Sequence, residues 1–79
     1  MGAVVAFKPA HVRIDSGLCT GGDTPELIGR WCHMVTVVDA NGGELTDYVG
    51  TDRAKADQAA VEWARDNGCK IIDRSSEAA

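Results

Sequence analysis

The sequence predicts an α+β fold, a small antiparallel β-sheet of three or four strands with one amphipathic helix packed on one face. Three stretches carry this prediction: a β-hairpin at residues 30–50, a helix at residues 51–67 and a short strand at residues 69–73. We expect residues 1–79 to form a single domain, because a chain of this length buries one small core. That core rests on Val, Ile, Leu and Ala, since the chain has only two Trp, one Tyr and one Phe.

Residues 1–29 are the least regular part of the sequence. Residues 3–7 are apolar and are typical of a buried strand, and residues 11–15 alternate polar and apolar side chains in the pattern of a half-buried strand. Small and glycine residues at 16–23 indicate a loop. Residues 24–26, Thr-Pro-Glu, indicate a single helical turn because Pro is favoured at the first helical position.

The predicted hairpin is β-branched and apolar before its turn at residues 41–43, whose Asn-Gly-Gly sequence supplies positive φ angles. A two-residue turn pairs Val38 with Leu45 and Met34 with Val49. The same register places Asp39 opposite Glu44, and like charges that face each other across a hairpin are mildly destabilising. A bulged three-residue loop avoids this contact, so the sequence leaves both registers open.

Residues 51–67 give the clearest helical signal in the chain. Thr51 or Asp52 can cap the N-terminus, and Gly68 can adopt the left-handed conformation that ends a helix. We expect a frayed tail at residues 75–79. One face of the helix is small and apolar while the other is charged. The apolar face consists of Ala56, Ala59, Ala60, Trp63 and Ala64.

The acidic residues are concentrated in the middle of the chain. The formal net charge is −4, and the charges of residues 1–30 and of residues 53–79 each sum to zero. The excess therefore lies in residues 31–52, which contain no Lys or Arg. The carboxylates of this stretch belong to Asp39, Glu44, Asp47 and Asp52.

Two interpretations of this acidic stretch are open. Acidic side chains at a hairpin tip favour solubility and protect strand edges. Alternatively, they form a negative surface that binds a basic protein surface of a nucleic-acid-handling complex, because complementary potentials raise association rate and specificity. The residues predicted to contact such a partner are Asp39, Glu44, Asp47, Asp52 and Tyr48. Direct binding to nucleic acid is not expected, because the eight Lys and Arg residues are scattered and matched by acids.

No catalytic, cofactor-binding or metal site is predicted. Cys32 and His33 are adjacent, so on a strand their side chains point to opposite faces and cannot share one ion. The glycines at positions 21 and 22 are not followed by the Lys-Ser/Thr of a phosphate-binding loop. We therefore expect a protein that is not an enzyme and that needs no cofactor.

The cysteines and the N-terminus bear on location and assembly. Three cysteines without a Cys-x-x-Cys pair, and no signal-peptide or membrane-span pattern, predict a reduced, cytoplasmic protein. Cys69 is either buried or faces a second subunit, where oxidation could link two chains. The alternative function is accordingly a small structural or accessory bacterial domain that acts by homodimerisation or by binding at a sheet edge.

The β-β-α-β stretch at residues 31–73 supports a resemblance to a known class of protein. Its Ala-rich helix ends in Asn67-Gly68 before the apolar pair Ile71-Ile72. In these features it is similar to some small type I anti-CRISPR inhibitors of phages and mobile elements, over about half of the chain. The resemblance implies a stoichiometric inhibitor that binds a CRISPR surveillance complex and blocks its basic nucleic-acid-binding surface. It transfers no functional residue, because these inhibitors share no motif.

Overall fold

The computed structural model describes residues 8–22 and 24–75. The predicted strand at residues 3–7 and the tail from residue 76 lie outside the described residues. The elements, in chain order, are β1 (Pro9–Leu18), a short 3-10 helix (Pro25–Leu27), β2 (Trp31–Asp39), β3 (Glu44–Gly50), α1 (Arg53–Asn67) and β4 (Lys70–Asp73).

The four strands form one sheet in the order β3-β2-β1-β4, with α1 packed against it. This arrangement confirms the predicted α+β fold. The sheet is mixed, however, because β1 and β4 are parallel while the other two pairs are antiparallel. β1 and β4 are parallel because a helix connects β3 to β4. β3 runs in the same direction as β1, and α1 returns the chain to the end of the sheet where β1 and β3 begin, so β4 runs in that direction too.

β1 is longer than the sequence predicts. The prediction of a loop beginning at residue 16 is wrong, since Ser16 pairs with His33 and Gly17 pairs with Cys32 of β2. The Ser16 hydroxyl and His33 Nδ1 also share a hydrogen bond of 2.6 Å across the two strands. Main-chain pairing with β2 therefore overrides the weak strand preference of this small-residue segment.

The hairpin turn is the bulged three-residue loop, the second of the two predicted alternatives. The Asp39 amide donates to the Gly43 carbonyl at 2.7 Å, and the Gly42 amide donates back to the Asp39 carbonyl at 2.9 Å. Gly42 has a φ of 90°, which a side chain at this position would disfavour. This loop type is typical of hairpins that end a tight turn with a left-handed residue.

A bulge in β3 sets the register of the hairpin. Near the turn, Val38 lies opposite Glu44, so the pairing of Val38 with Leu45 that a two-residue turn would give does not form. Asp47 is then an extra residue in β3, which moves the register by one position. Beyond this bulge Met34 pairs with Val49, as the sequence predicts.

Both ends of α1 form as predicted. The Asp52 carboxylate accepts hydrogen bonds from the amides of Ala54 and Lys55, at 2.9 and 3.2 Å. Gly68 ends the helix with a φ of 62°, and its amide donates to the Ala64 carbonyl. These contacts satisfy amides and carbonyls that the helix leaves unpaired at its ends.

The core lies between the alanine face of α1 and the centre of the sheet. Ala56 and Ala60 are fully buried against Val12, Ile14 and Val35. Alanines at the contact allow the helix to approach the strands closely, and the larger side chains fill the periphery. The partly buried side chains around this cluster are Tyr48, Ala59, Trp63, Ala64 and Cys69.

Ion pairs fix the start of α1 on β4. Arg53 donates to Asp57 and to Asp73, each at 2.8 Å. The hydroxyl and amide of Ser75, followed by Arg53, lower the pKa of Asp73 to about 2 from its ordinary 3.8. The charged form of Asp73 is therefore favoured in the folded chain.

Acid should weaken the fold through Asp73. Because its pKa is lower in the folded chain, its contribution to stability is present above pH 3.8 and is lost as the pH falls through about 2. We expect the free energy of unfolding, measured with urea, to decrease over this interval, and Asp73→Asn to flatten the decrease. Glu26→Gln, at an exposed residue of the 3-10 helix, should keep the wild-type slope. An identical slope in Asp73→Asn would contradict this role.

A side chain at Gly50 should destabilise the fold. An added Cβ would lie 2.5 Å from Oη and 2.8 Å from Cζ of Tyr48, whose ring is packed against the core. We expect Gly50→Ala to reduce the free energy of unfolding by about 1–3 kcal/mol, as overpacking does. Gly21→Ala is the control, because nothing lies within 4 Å of its added Cβ. Equal stabilities of the two variants in urea unfolding would refute the proposed clash.

Candidate functional site

Asp39 is part of the hairpin turn. Only 8% of this residue is exposed. Its carboxylate accepts hydrogen bonds from the amides of Asn41, at 2.7 Å, and Lys8, at 3.1 Å. Both hydrogen bonds, and chiefly the one from the Asn41 amide, lower the pKa of Asp39. Little of this side chain is therefore exposed to a partner.

Asp52 and Tyr48 hold the connection between β3 and α1. The Asp52 side chain caps the helix, and its backbone amide donates to the Tyr48 hydroxyl at 3.2 Å. The Tyr48 ring is half-buried and packs against the core cluster. Together with Asp39, three of the five residues that the sequence assigns to a partner therefore have clear roles inside the domain.

Glu44 lies on the sheet face opposite α1. Its Oε1 is 3.4 Å from Nη2 of Arg13, and Nε of Arg13 is 2.8 Å from Asp15. The hydrogen bond to Asp15 is the main cause that raises the pKa of Arg13, and Glu44 adds to it. The charge of Glu44 is thus partly balanced by a cation on the same face.

Asp47, the bulge residue, lies on the helix side of β3. Because a bulge breaks the strict alternation of a strand, both Asp47 and Tyr48 can lie on the side of α1. Asp47 forms one wall of a groove of about 410 Å³, which we call the acidic groove. Its other lining residues, all on α1, are Lys55, Gln58, Ala59, Glu62, Trp63, Asp66 and Asn67.

The acidic groove is negatively charged and partly aromatic. It brings together the carboxylates of Asp47, Glu62 and Asp66, with Lys55 as the cation of its lining. An ion pair of 3.7 Å joins Asp66 to Arg65, both largely exposed, and such pairs are weak in water. The half-buried indole of Trp63 lies in the same groove. Carboxylates beside an indole ring suit a cationic ligand, which gains both charge attraction and a cation–π contact.

The sequence indicates only part of this groove. Glu62 and Asp66 are four residues apart, so their place on one helix face follows from periodicity. Their proximity to Asp47 depends on the bulge, which no local motif in β3 predicts. The four predicted acidic residues do not form one surface, because Glu44 faces away from α1 while Asp47 faces toward it.

Cys19, Cys32 and His33 line one groove of the sheet, and Cys69 lies apart from them. Cys32 and His33 lie on opposite faces of β2, as their adjacency in a strand predicts. Cys69 is half-buried and packs against the core cluster. In residues 8–22 and 24–75, no three His, Cys, Asp or Glu side chains are placed to hold a metal ion.

Comparison with known proteins gives no relative for this chain. No family model, no curated protein and no solved structure matches it. Over the part of the chain that the structure describes, no helix has both the length and the apolar character needed to cross a membrane.

Removing the carboxylate of Asp39 should impair folding, whereas removing that of Asp47 should not. Asp39→Ala leaves the amides of Asn41 and Lys8 without their acceptor, so we expect a lower thermal midpoint. Asp47→Ala removes an exposed carboxylate that has no hydrogen bond within the described residues, so its midpoint should stay close to that of the parent chain. Thermal unfolding followed by circular dichroism distinguishes the two. Equal midpoints would contradict the assigned roles.

Proposed function

We propose that this protein is a non-enzymatic binding protein whose acidic groove accepts a basic segment of a protein partner. The observation that carries the proposal is the convergence of Asp47, Glu62 and Asp66 around Trp63. Each of these carboxylates is on an exposed residue. Like charges brought together in this way repel one another, and a cationic ligand relieves that repulsion.

The groove chemistry favours arginine and lysine side chains as ligands. A guanidinium group can stack on the Trp63 indole while it donates charge-assisted hydrogen bonds to a neighbouring carboxylate. Because the groove is exposed to solvent, its charges contribute mostly to association rate and specificity. Salt should therefore weaken binding strongly.

The structure changes which residues we assign to the partner. The sequence-based hypothesis uses Asp39, Glu44, Asp47 and Asp52 together. Because Asp39 and Asp52 hold the turn and cap the helix, the proposal now rests on Asp47 with two carboxylates of α1. Charge reversal at Asp39 would damage the turn, so it is a poor test of binding.

The partner that we propose is a nucleic-acid-handling complex. Such complexes expose grooves rich in Arg and Lys that neutralise phosphates, and an acidic protein surface can compete for the same cations. The resemblance to anti-CRISPR inhibitors makes a type I CRISPR surveillance complex in the host cytoplasm the first partner to test. On this proposal the protein acts by occupying the basic surface in place of nucleic acid.

Charge reversal within the acidic groove should weaken binding to a basic ligand. We expect Glu62→Lys to reduce the affinity for an arginine-rich peptide, and for a type I surveillance complex, by about fivefold or more at low salt. The physical reason is the loss of one attractive charge and the gain of a repulsive one beside Trp63. A fluorescence titration at low and at high salt measures the change.

Glu26→Lys is the matched control for this experiment. It makes the same change of charge on an exposed residue of the 3-10 helix, which is outside the groove lining. Its affinity should change by less than about twofold. Equal losses in the two variants would show that overall charge, rather than the groove, attracts the ligand. No binding of the basic peptide at low salt would refute the proposed function.

A further inference from the structure

β3 is an edge of the sheet among the described strands. It is seven residues long and pairs with β2 on one side, and most of its residues are exposed. Alternate backbone amides and carbonyls of an edge strand point away from the sheet, where an added strand can pair with them. The opposite edge, β4, is four residues long, and its Asp73 is already bonded to Arg53 and Ser75.

A groove lies on each side of β3, and the two grooves differ in chemistry. On the helix side, Asp47 borders the acidic groove. On the opposite face, Val49 borders a groove of about 270 Å³, which we call the apolar groove. Leu18, Cys32 and Met34 also line the apolar groove, and Val49 is 48% exposed. Between Asp47 and Val49 the edge strand therefore borders carboxylates on its helix side and a largely apolar groove on the other, while Glu44 lies nearer the turn on that other face.

We propose that the basic segment binds by adding a strand to the β3 edge, with basic and apolar side chains in alternation. Successive side chains of an extended strand point to opposite faces of a sheet. One set then points toward the carboxylates beside Trp63, while the other set points toward Val49 at the border of the apolar groove. Main-chain hydrogen bonds supply affinity in this mode, and the two grooves supply specificity. The inference rests on the proposed function and specifies how that partner binds.

The charge of the hairpin selects a cationic strand. Residues 31–52 contain four acidic residues and no Lys or Arg, so nothing in the hairpin itself neutralises Asp47. A strand of acidic residues laid along β3 would meet like charge. The bulge at Asp47 interrupts regular pairing along the edge, so it disfavours long uniform strands and favours a short segment whose side chains match the grooves.

Synthetic peptides test this mode of binding directly on the full chain. The first peptide alternates Arg and Val over the length of β3, and the second has the same composition with all Arg residues before all Val residues. A third repeats the first but carries N-methyl groups on alternate amides, which removes main-chain donors without changing charge. Fluorescence of Trp63 in a Trp31→Phe background reports binding, and amide hydrogen exchange reports pairing along β3.

We expect the alternating peptide to bind at least about tenfold more tightly than either control peptide, and to slow exchange at β3 amides. Equal affinity for the three peptides, with all three weakened by Glu62→Lys, would overturn strand addition and leave the proposed function standing. Absence of binding by all three would overturn both proposals. A dimer of the free chain with protected β3 amides would also overturn strand addition, because a second copy would already occupy the edge.

Discussion

The close packing of α1 on the centre of the sheet is the constraint on which the rest of the domain depends. Ala56 and Ala60 contact Val12, Ile14 and Val35, so the volume buried between the helix and the sheet is small and aliphatic. A domain of this size gains little stability from its core, which leaves the borders of the helix to be held by other contacts. The cap at Asp52 and the ion pair between Arg53 and Asp73 stabilise the start of the helix.

Because the core is small, some acidic residues are needed to stabilise the fold whereas others are not. Asp39 and Asp52 each accept two backbone amides, so their carboxylates stabilise a turn and a helix end. Such bonds satisfy amides that a small core cannot shield or pair otherwise. Asp47 and Glu62 have no comparable contact within the described residues. A count of negative charges along the sequence therefore overstates how many are available for recognition.

Local signals in the sequence predict the elements whose stability is local. The periodicity of α1, its cap at Asp52 and its end at Gly68 depend on residues within one helical turn of each other. The length of β1, its parallel pairing with β4 and the bulge at Asp47 depend on contacts between distant segments. No pattern of neighbouring residues encodes them, which is why the predicted loop from residue 16 is wrong. The partner of Val38 depends instead on the turn, for which the sequence leaves two alternatives open, and the structure has the three-residue loop.

The acidic groove also depends on both local and distant contacts. Helical spacing places Glu62 and Asp66 together, but the bulge decides that Asp47 joins them and leaves Glu44 on the other face. A bulge also protects an edge strand from uncontrolled pairing by disturbing its regular hydrogen bonding. In β3 the same feature places a carboxylate in the groove of Trp63, and on the proposed mode of binding it limits which strands can add to the edge. On the proposed function, protection of the edge and selection of a basic partner are thus two consequences of one inserted residue.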